Sequence, residues 1–179
     1  MLRIFNNLSP FFEDCYRRIN VREYARIMKI SPPSASKLLT ALQKEGLLIK
    51  EEERNYIFYS ANRESRLFVS LSRVYWLDEL ERSGLLDYLE NECLAKLVIL
   101  FGSLSKAEVR KGSDVDLAVF GLSNSLDLER FEKKLGREIQ LFLFRKKSEI
   151  KSRELLNNIL NGFIVLGGWL DGLEGVSKE

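Results

Sequence analysis

The chain has 179 residues, of which 45% are hydrophobic and 30% charged, with a formal net charge of +2. This composition is typical of a globular protein and excludes a disordered chain. Because the sequence contains no histidine, His-based triads are excluded, and any catalysis must use carboxylates, lysines, hydroxyls or bound metal.

The apolar runs of the sequence are short and interrupted, which argues against membrane-spanning helices. The first residues also lack the long apolar core of a secretory signal. Cys15 and Cys93 have no metal-ligand spacing, so we expect two buried thiols in a reducing compartment. These features predict a cytoplasmic protein with no membrane contact.

The N-terminal third of the sequence predicts helices followed by a hairpin. A first helix is expected over residues 8–19. Asn20 and Ser31 are suited to cap two further helices, and Pro32 and Pro33 can occupy the first helical positions after Ser31. The alternating stretch LLIKEEERNYIFYSA then predicts two strands around a polar tip.

This order of elements resembles a winged helix-turn-helix domain over about residues 8–62, and residues 1–65 are assigned to it. The resemblance implies that the second helix of the pair enters the major groove of double-stranded DNA and that the hairpin, the wing, touches the backbone. The residues expected to contact DNA are Ser34, Ser36, Lys37, Thr40 and Lys44 on the helix and Arg54 on the wing. The wing acids Glu51, Glu52 and Glu53 would repel phosphates. Dimerisation or partner docking through the same fold is the alternative.

Residues 66–92 are predicted to form a helical linker that Ser83-Gly84 divides into two helices. The linker carries an apolar stripe that includes Leu67, Phe68 and Val74. Such a stripe would support a homodimer or pack against the second domain, and the sequence leaves both readings open.

From residue 93 onward, apolar strands alternate with helices. The runs LVILF, VDLAVF, IQLFLF and FIVLG predict strands. The alternation favours an α/β or α+β domain with a mixed sheet flanked by helices over residues 93–179.

The stretch FGSLSKAEVRKGSDVDLAVF, residues 101–120, carries the chemistry of this second domain. Gly102 allows a sharp turn and a close approach to a ligand, and Ser103 adds a hydroxyl. Asp114 and Asp116 lie two residues apart on a strand and therefore share one face. Two carboxylates beside a phosphate-binding turn predict a site for Mg²⁺ or Mn²⁺.

This stretch contains Gly-Ser, followed by ten residues and then Asp-Val-Asp. The spacing resembles the signature of the minimal nucleotidyltransferases, which are related to DNA polymerase β. The resemblance covers roughly residues 93–168. It implies Mg²⁺-dependent transfer of a nucleoside monophosphate, expected to be AMP from ATP, to a protein or RNA hydroxyl with release of pyrophosphate. By position, the residues expected to bind the nucleotide are Gly102, Ser103, Lys106 and Ser113, while Asp114 and Asp116 would ligate metal and act in catalysis.

The sequence departs from this family at the third carboxylate of the following strand, where Gln140 stands. An amide cannot act as an anionic ligand or as a base. Glu138 lies two residues earlier on the same strand face and is the candidate catalytic substitute, the alternative being an edge carboxylate in solvent. The alternative function is a catalytically impaired, DNA-binding transcriptional regulator. A third reading is an antitoxin-like protein of a toxin–antitoxin pair, because minimal nucleotidyltransferases often accompany a helical toxin.

Overall fold

The computed structural model describes residues 3–122 and 126–168, in two compact units. The first unit contains the residues up to Tyr75 together with Ala107–Lys111, and the second contains Trp76–Lys106 and the residues from Gly112 onward. Trp169 and the rest of the end of the predicted second domain, residues 169–179, lie outside the described residues. The helices are α1 (Arg3–Glu13), α2 (Val21–Met28), α3 (Pro32–Lys44), α4 (Arg66–Ser83), α5 (Leu85–Cys93), α6 (Gly102–Lys106), α7 (Glu129–Leu135) and α8 (Arg153–Leu160), with a 3₁₀ turn at Lys147–Glu149. The strands are β1 (Ile19–Asn20), β2 (Leu48–Glu53), β3 (Tyr56–Ala61), β4 (Leu97–Phe101), β5 (Val115–Phe120), β6 (Ile139–Phe144) and β7 (Phe163–Gly167).

The first helix begins and ends earlier than the sequence pattern predicts, so the expected range of residues 8–19 is wrong. Pro10 lies inside α1, where it cannot donate a hydrogen bond to the carbonyl of Asn6, four residues earlier. The hydroxyl of Ser9 donates to that carbonyl instead, at 3.0 Å. Because this bond replaces the missing one, α1 continues through Pro10 rather than starting near it.

The two helices that follow are capped as predicted. The Asn20 side chain accepts a hydrogen bond from the backbone N–H of Glu23 at 2.9 Å. Ser31 caps α3 in the same way, with its hydroxyl accepting from the Ser34 N–H at 3.4 Å. Such caps satisfy backbone donors that have no partner inside the helix. They fix the starts of α2 and α3 at the predicted positions.

The first unit also contains a three-stranded antiparallel sheet in the order β1-β3-β2. The predicted hairpin is confirmed as β2 and β3, which are joined by Arg54 and Asn55 with φ angles of 49° and 66°. Positive φ at both loop positions is typical of a type I′ turn, whose twist matches that of paired strands. The turn places the Arg54 side chain at the exposed tip of the hairpin.

The predicted apolar stripe of α4 is only partly buried. Phe68, Tyr75 and Leu80 are buried, whereas Leu67 and Val74 are 54% and 42% exposed. The predicted division at Ser83-Gly84 is confirmed, because α4 ends at Ser83 and α5 begins after Gly84. The predicted homodimer stays a prediction.

The second unit contains a four-stranded mixed sheet in the order β6-β5-β4-β7. Strand β4 pairs antiparallel with β5 and β7, while β5 pairs parallel with β6. Every residue of β4 is buried, which explains why its sequence is continuously apolar rather than alternating. The mixed sheet flanked by helices agrees with the predicted architecture of this domain.

Both predicted thiols, Cys15 and Cys93, are buried, and neither forms a disulfide bond. Within residues 3–122 and 126–168, no helix has the length and apolar content needed to cross a lipid bilayer.

Candidate active site

Gly102 occupies the junction between β4 and α6 in a conformation that only glycine adopts readily. Its φ angle is +67°, and a Cβ added there would overlap the Oδ2 atom of Asp116 and lie 3.1 Å from its Cγ. The turn is closed by Ser105, whose hydroxyl donates to the Gly102 carbonyl at 3.0 Å. The predicted Gly-Ser turn and the predicted carboxylates are therefore brought into direct proximity.

Asp114 and Asp116 lie at the start of β5. Asp114 immediately precedes the strand, and Asp116 pairs with Phe101, the last residue of β4. Burial raises the pKa of the Asp116 carboxyl, and the neighbouring Asp114 charge raises that pKa further. The fold thus holds a carboxylate where burial and a like charge both disfavour ionisation.

Gln140 lies beside this carboxylate pair. Parallel pairing places it opposite Asp116, and its Nε2 donates to the Oδ2 of Asp114 at 2.6 Å. The position predicted for a third carboxylate therefore carries a hydrogen-bond donor to the first one. Gln140 orients Asp114 but adds no negative charge.

Glu138 precedes β6, and its backbone carbonyl accepts from the N–H of Val115 at 2.9 Å. Its side chain is exposed. In the described part of the chain, no group of three or more Cys, Asp or Glu residues is arranged to hold a metal ion. The catalytic role of Glu138 stays a prediction.

The other residues predicted to bind nucleotide lie at the two ends of the segment that joins α6 to β5. Ser103 is half-buried in α6, and Lys106 is exposed at its end. The carbonyl of Ser113, just before Asp114, accepts from Arg137 Nη1 at 2.6 Å. Arg137 also lies over the ring of Trp76, at 4.9 Å from its centroid. The sequence alone does not indicate a role for Arg137, because its contact with Ser113 depends on the pairing of β5 with β6.

The chemistry of these groups fits one divalent cation. Asp114 and Asp116 supply hard oxygen donors, and their mutual repulsion would be relieved by a cation. The absence of a side chain at Gly102 allows the backbone of the turn to lie directly against the Asp116 carboxylate. Mg²⁺ commonly binds through one or two carboxylates together with phosphate oxygens of the substrate. A site with three protein carboxylates would need a residue other than Gln140.

The residues predicted to contact DNA lie on the first unit. Ser34, Ser36, Lys37, Lys44 and Arg54 are exposed, and Thr40 is half-buried.

Two of the three wing acids are paired in the structure. Arg18 contacts Glu51 and Glu53 at 3.0 and 2.9 Å and lies over the ring of Phe58. The repulsion that the sequence predicts between the wing and phosphates is therefore reduced at both of these acids.

Comparison with known proteins supports the class of protein that this site suggests. The family model described as "Polymerase beta, Nucleotidyltransferase" matches residues 84–166. That range includes the glycine turn, the carboxylate pair, strands β4, β5 and β6, and all of β7 except Gly167. The match supports placing this part of the chain in the nucleotidyltransferase superfamily. No curated protein and no solved structure matches the chain.

The substitution Gln140→Glu is expected to strengthen the binding of Mg²⁺ and to lower the stability of the metal-free protein. The change removes the hydrogen bond to Asp114 and adds a third negative charge, which should cost about 0.5–1.5 kcal/mol or more in the free energy of unfolding. Thermal unfolding with and without Mg²⁺ measures both effects. Gln140→Met serves as the control, because it removes the hydrogen bond without adding charge. Equal Mg²⁺-dependent stabilisation of the two variants would contradict this role for position 140.

Proposed function

We propose that the protein is a Mg²⁺-dependent nucleotidyltransferase that moves a nucleoside monophosphate, AMP from ATP, to a hydroxyl of a protein or RNA. The observation that carries the proposal is the packing of Gly102 against Asp116, beside Asp114. In this proposal, the turn at Gly102 would hold the phosphates next to a carboxylate pair that would hold the metal. The family match over residues 84–166 supports the transferase class.

In the proposed reaction, the acceptor oxygen forms a bond to the α-phosphorus while the bond to the β-phosphate oxygen breaks and pyrophosphate leaves. Gly102 and Ser103 would hold the triphosphate through backbone N–H groups and a hydroxyl, and Lys106 would neutralise phosphate charge. Asp114 and Asp116 would hold the divalent cation. When bound, the cation supplies Lewis-acid stabilisation of the phosphates and of the attacking oxygen.

The proton of the acceptor hydroxyl needs a base. Gln140 cannot accept it, but it keeps Asp114 oriented by donating to its Oδ2. The side chain of Glu138 is the proposed base. Ser113 would contact the nucleotide at the edge of the site, where Arg137 donates a hydrogen bond to its backbone carbonyl.

The transfer proposal is tested by incubating the protein with labelled ATP, Mg²⁺ or Mn²⁺, and protein and RNA acceptors. We expect label on an acceptor with the wild type and none with Asp114→Ala/Asp116→Ala. Asp87→Ala/Glu90→Ala, which removes two exposed acids of α5, should retain full transfer. Equal incorporation by the wild type and the Asp114/Asp116 variant would refute the assignment.

A second candidate function is binding of double-stranded DNA by the first unit, as a winged helix-turn-helix regulator with an impaired transferase domain. The exposed cations Lys37, Lys44 and Arg54 and the neutralisation of the wing acids by Arg18 favour it. An antitoxin-like protein that binds a separate protein partner would use the same unit without DNA.

Replacing Lys37 with alanine is expected to weaken duplex binding uniformly across sequences. Removing one lysine–phosphate interaction should reduce the slope of log K against log salt by about 0.9. The measurement is fluorescence anisotropy with a labelled duplex over a salt series. Lys96→Ala, at an exposed lysine of the second unit, is the control. A duplex affinity that changes neither with salt concentration nor with Lys37→Ala would argue against a DNA-binding face on α3.

A further inference from the structure

A groove in the first unit is lined by none of the residues assigned to duplex binding on α3, while Arg54 of the wing directly precedes its Asn55. It is bordered by the start of α2 and the start of β3 and encloses about 520 Å³. This volume lies within the range of about 300–1,000 Å³ found for ligand pockets. We name it the α2–β3 groove and define it by Asn20, Val21, Arg22, Arg26, Asn55, Tyr56 and Ile57.

The groove carries two cations on one helix face. Arg22 and Arg26 are four residues apart on α2, so they are neighbours on its surface, and both are exposed. Glu23, the acid on the same helix, is paired with Arg17 at 2.7 Å. Among the described residues, neither Arg22 nor Arg26 forms an ion pair with an acid. The positive charge of the groove is therefore available to an anionic ligand.

The opposite side of the groove carries an exposed aromatic ring. Tyr56 is 65% exposed and its neighbour Ile57 is 37% exposed. Proteins that bind single-stranded nucleic acid combine a positively charged groove with aromatic rings on which bases stack, and each stacked base contributes affinity without base-specific hydrogen bonds. The amide of Asn55 adds hydrogen-bonding capacity at the same edge.

We propose that the α2–β3 groove binds single-stranded nucleic acid, with a base stacked on Tyr56 and phosphates on Arg22 and Arg26. Stacking on Tyr56 requires an unstacked base, which a single strand offers and an intact duplex does not. A peptide made of acidic residues alone would pair with the arginines but would bring no flat ring to the tyrosine. This binding goes beyond the proposed transferase and duplex-binding functions.

The proposal is tested with the full chain by anisotropy of labelled oligothymidylate, oligouridylate and a duplex of the same length, without NTP or Mg²⁺. Tyr56→Ala should weaken binding of single strands by about 5- to 150-fold, whereas Tyr56→Phe should retain most of the affinity. Comparing oligothymidylate with oligouridylate shows whether the groove prefers single-stranded DNA or single-stranded RNA. Because the assay contains no nucleotide substrate, its failure would leave the transferase proposal standing.

The arginines are tested by the salt dependence of the same binding. Arg22→Gln/Arg26→Gln should reduce the slope of log K against log salt by about 1.4, since each single-strand phosphate interaction contributes about 0.7. Lys151→Gln/Arg153→Gln removes the same charge from exposed positions of the second unit and should leave the slope unchanged. Circular dichroism confirms that each variant is folded.

Three results would overturn the proposal. One is an equal loss of single-strand affinity in Tyr56→Ala and Tyr56→Phe, and another is an equal effect of Tyr56→Ala on single strands and on the duplex. The third is binding of polyglutamate to the groove in the absence of oligonucleotide binding. Conversely, loss of duplex binding alone in Lys37→Ala, with single-strand binding intact, would support two separate surfaces.

Discussion

Gly102→Ala is expected to destabilise the protein and to abolish the proposed Mg²⁺-dependent nucleotide binding. The backbone at this position has a φ angle of +67°, which costs an L-residue about 1–2 kcal/mol. The added methyl group would also overlap the Asp116 carboxylate, and overpacking of this kind costs about 1–3 kcal/mol more. The carboxylate can only relieve the overlap by moving away from the position next to Asp114.

Gly136→Ala is the matched control for this substitution. Gly136 has a similar φ angle of +64°, but a Cβ there would have nothing within 4 Å. We therefore expect this variant to lose only the backbone contribution, about 1–2 kcal/mol, and to keep its Mg²⁺-ATP affinity. Thermal unfolding of both variants measures the cost of backbone strain, and a Mg²⁺-ATP titration of both measures the loss of nucleotide binding. Similar behaviour of the two variants would show that the contact between Gly102 and Asp116 has no functional importance.

Asp116→Asn is expected to stabilise the metal-free protein at neutral pH while removing the proposed Mg²⁺-dependent nucleotide binding. Burial and the Asp114 charge both raise the pKa of Asp116, so its ionised form weakens the folded state. Optimisation of surface charge commonly adds about 0.5–2 kcal/mol, and each kcal/mol raises Tm by roughly 2–4 °C for a chain of this size. Asp114→Asn is the companion variant, and it should also relieve the repulsion.

The pH dependence gives this prediction a distinct signature. Because the folded-state pKa of Asp116 is raised above the unfolded value of about 3.9, the folded wild type binds more protons than the unfolded chain between the two values. Wild-type stability should therefore fall as pH rises through this window. The advantage of Asp116→Asn should be full above the folded-state pKa and should shrink as pH falls toward about 3.9. An advantage that is equal at acidic and neutral pH, or no advantage at all, would contradict the assignment.

Local sequence signals predicted much of the fold. The caps Asn20 and Ser31 fixed the starts of two helices because their bonds join residues three apart. The apolar runs located the four strands of the mixed sheet, and the runs of β4 and β5 are apolar because both faces of these central strands are buried. The start of α1 was missed, because Pro10 normally marks a helix boundary and its missing bond is replaced by Ser9.

The contacts that shape the candidate site are mostly non-local and could not be predicted. The hydrogen bond from Gln140 to Asp114 joins residues 26 positions apart and depends on the parallel pairing of β5 with β6. Arg18 pairs with Glu53, 35 positions away, so the charge of the wing could not be judged from the wing alone. The glycine turn was predicted to approach a ligand, and the structure adds that its nearest neighbour is a carboxylate.

Calorimetric titration of the metal-free protein with ATP, in the presence and absence of Mg²⁺, tests most directly whether the carboxylate pair is a metal and nucleotide site. We expect the wild type to bind ATP with a measurable heat only when Mg²⁺ is present, and Asp116→Asn to show no such binding while remaining folded. Equal binding by the wild type and Asp116→Asn, or wild-type binding that does not depend on Mg²⁺, would contradict the proposed site.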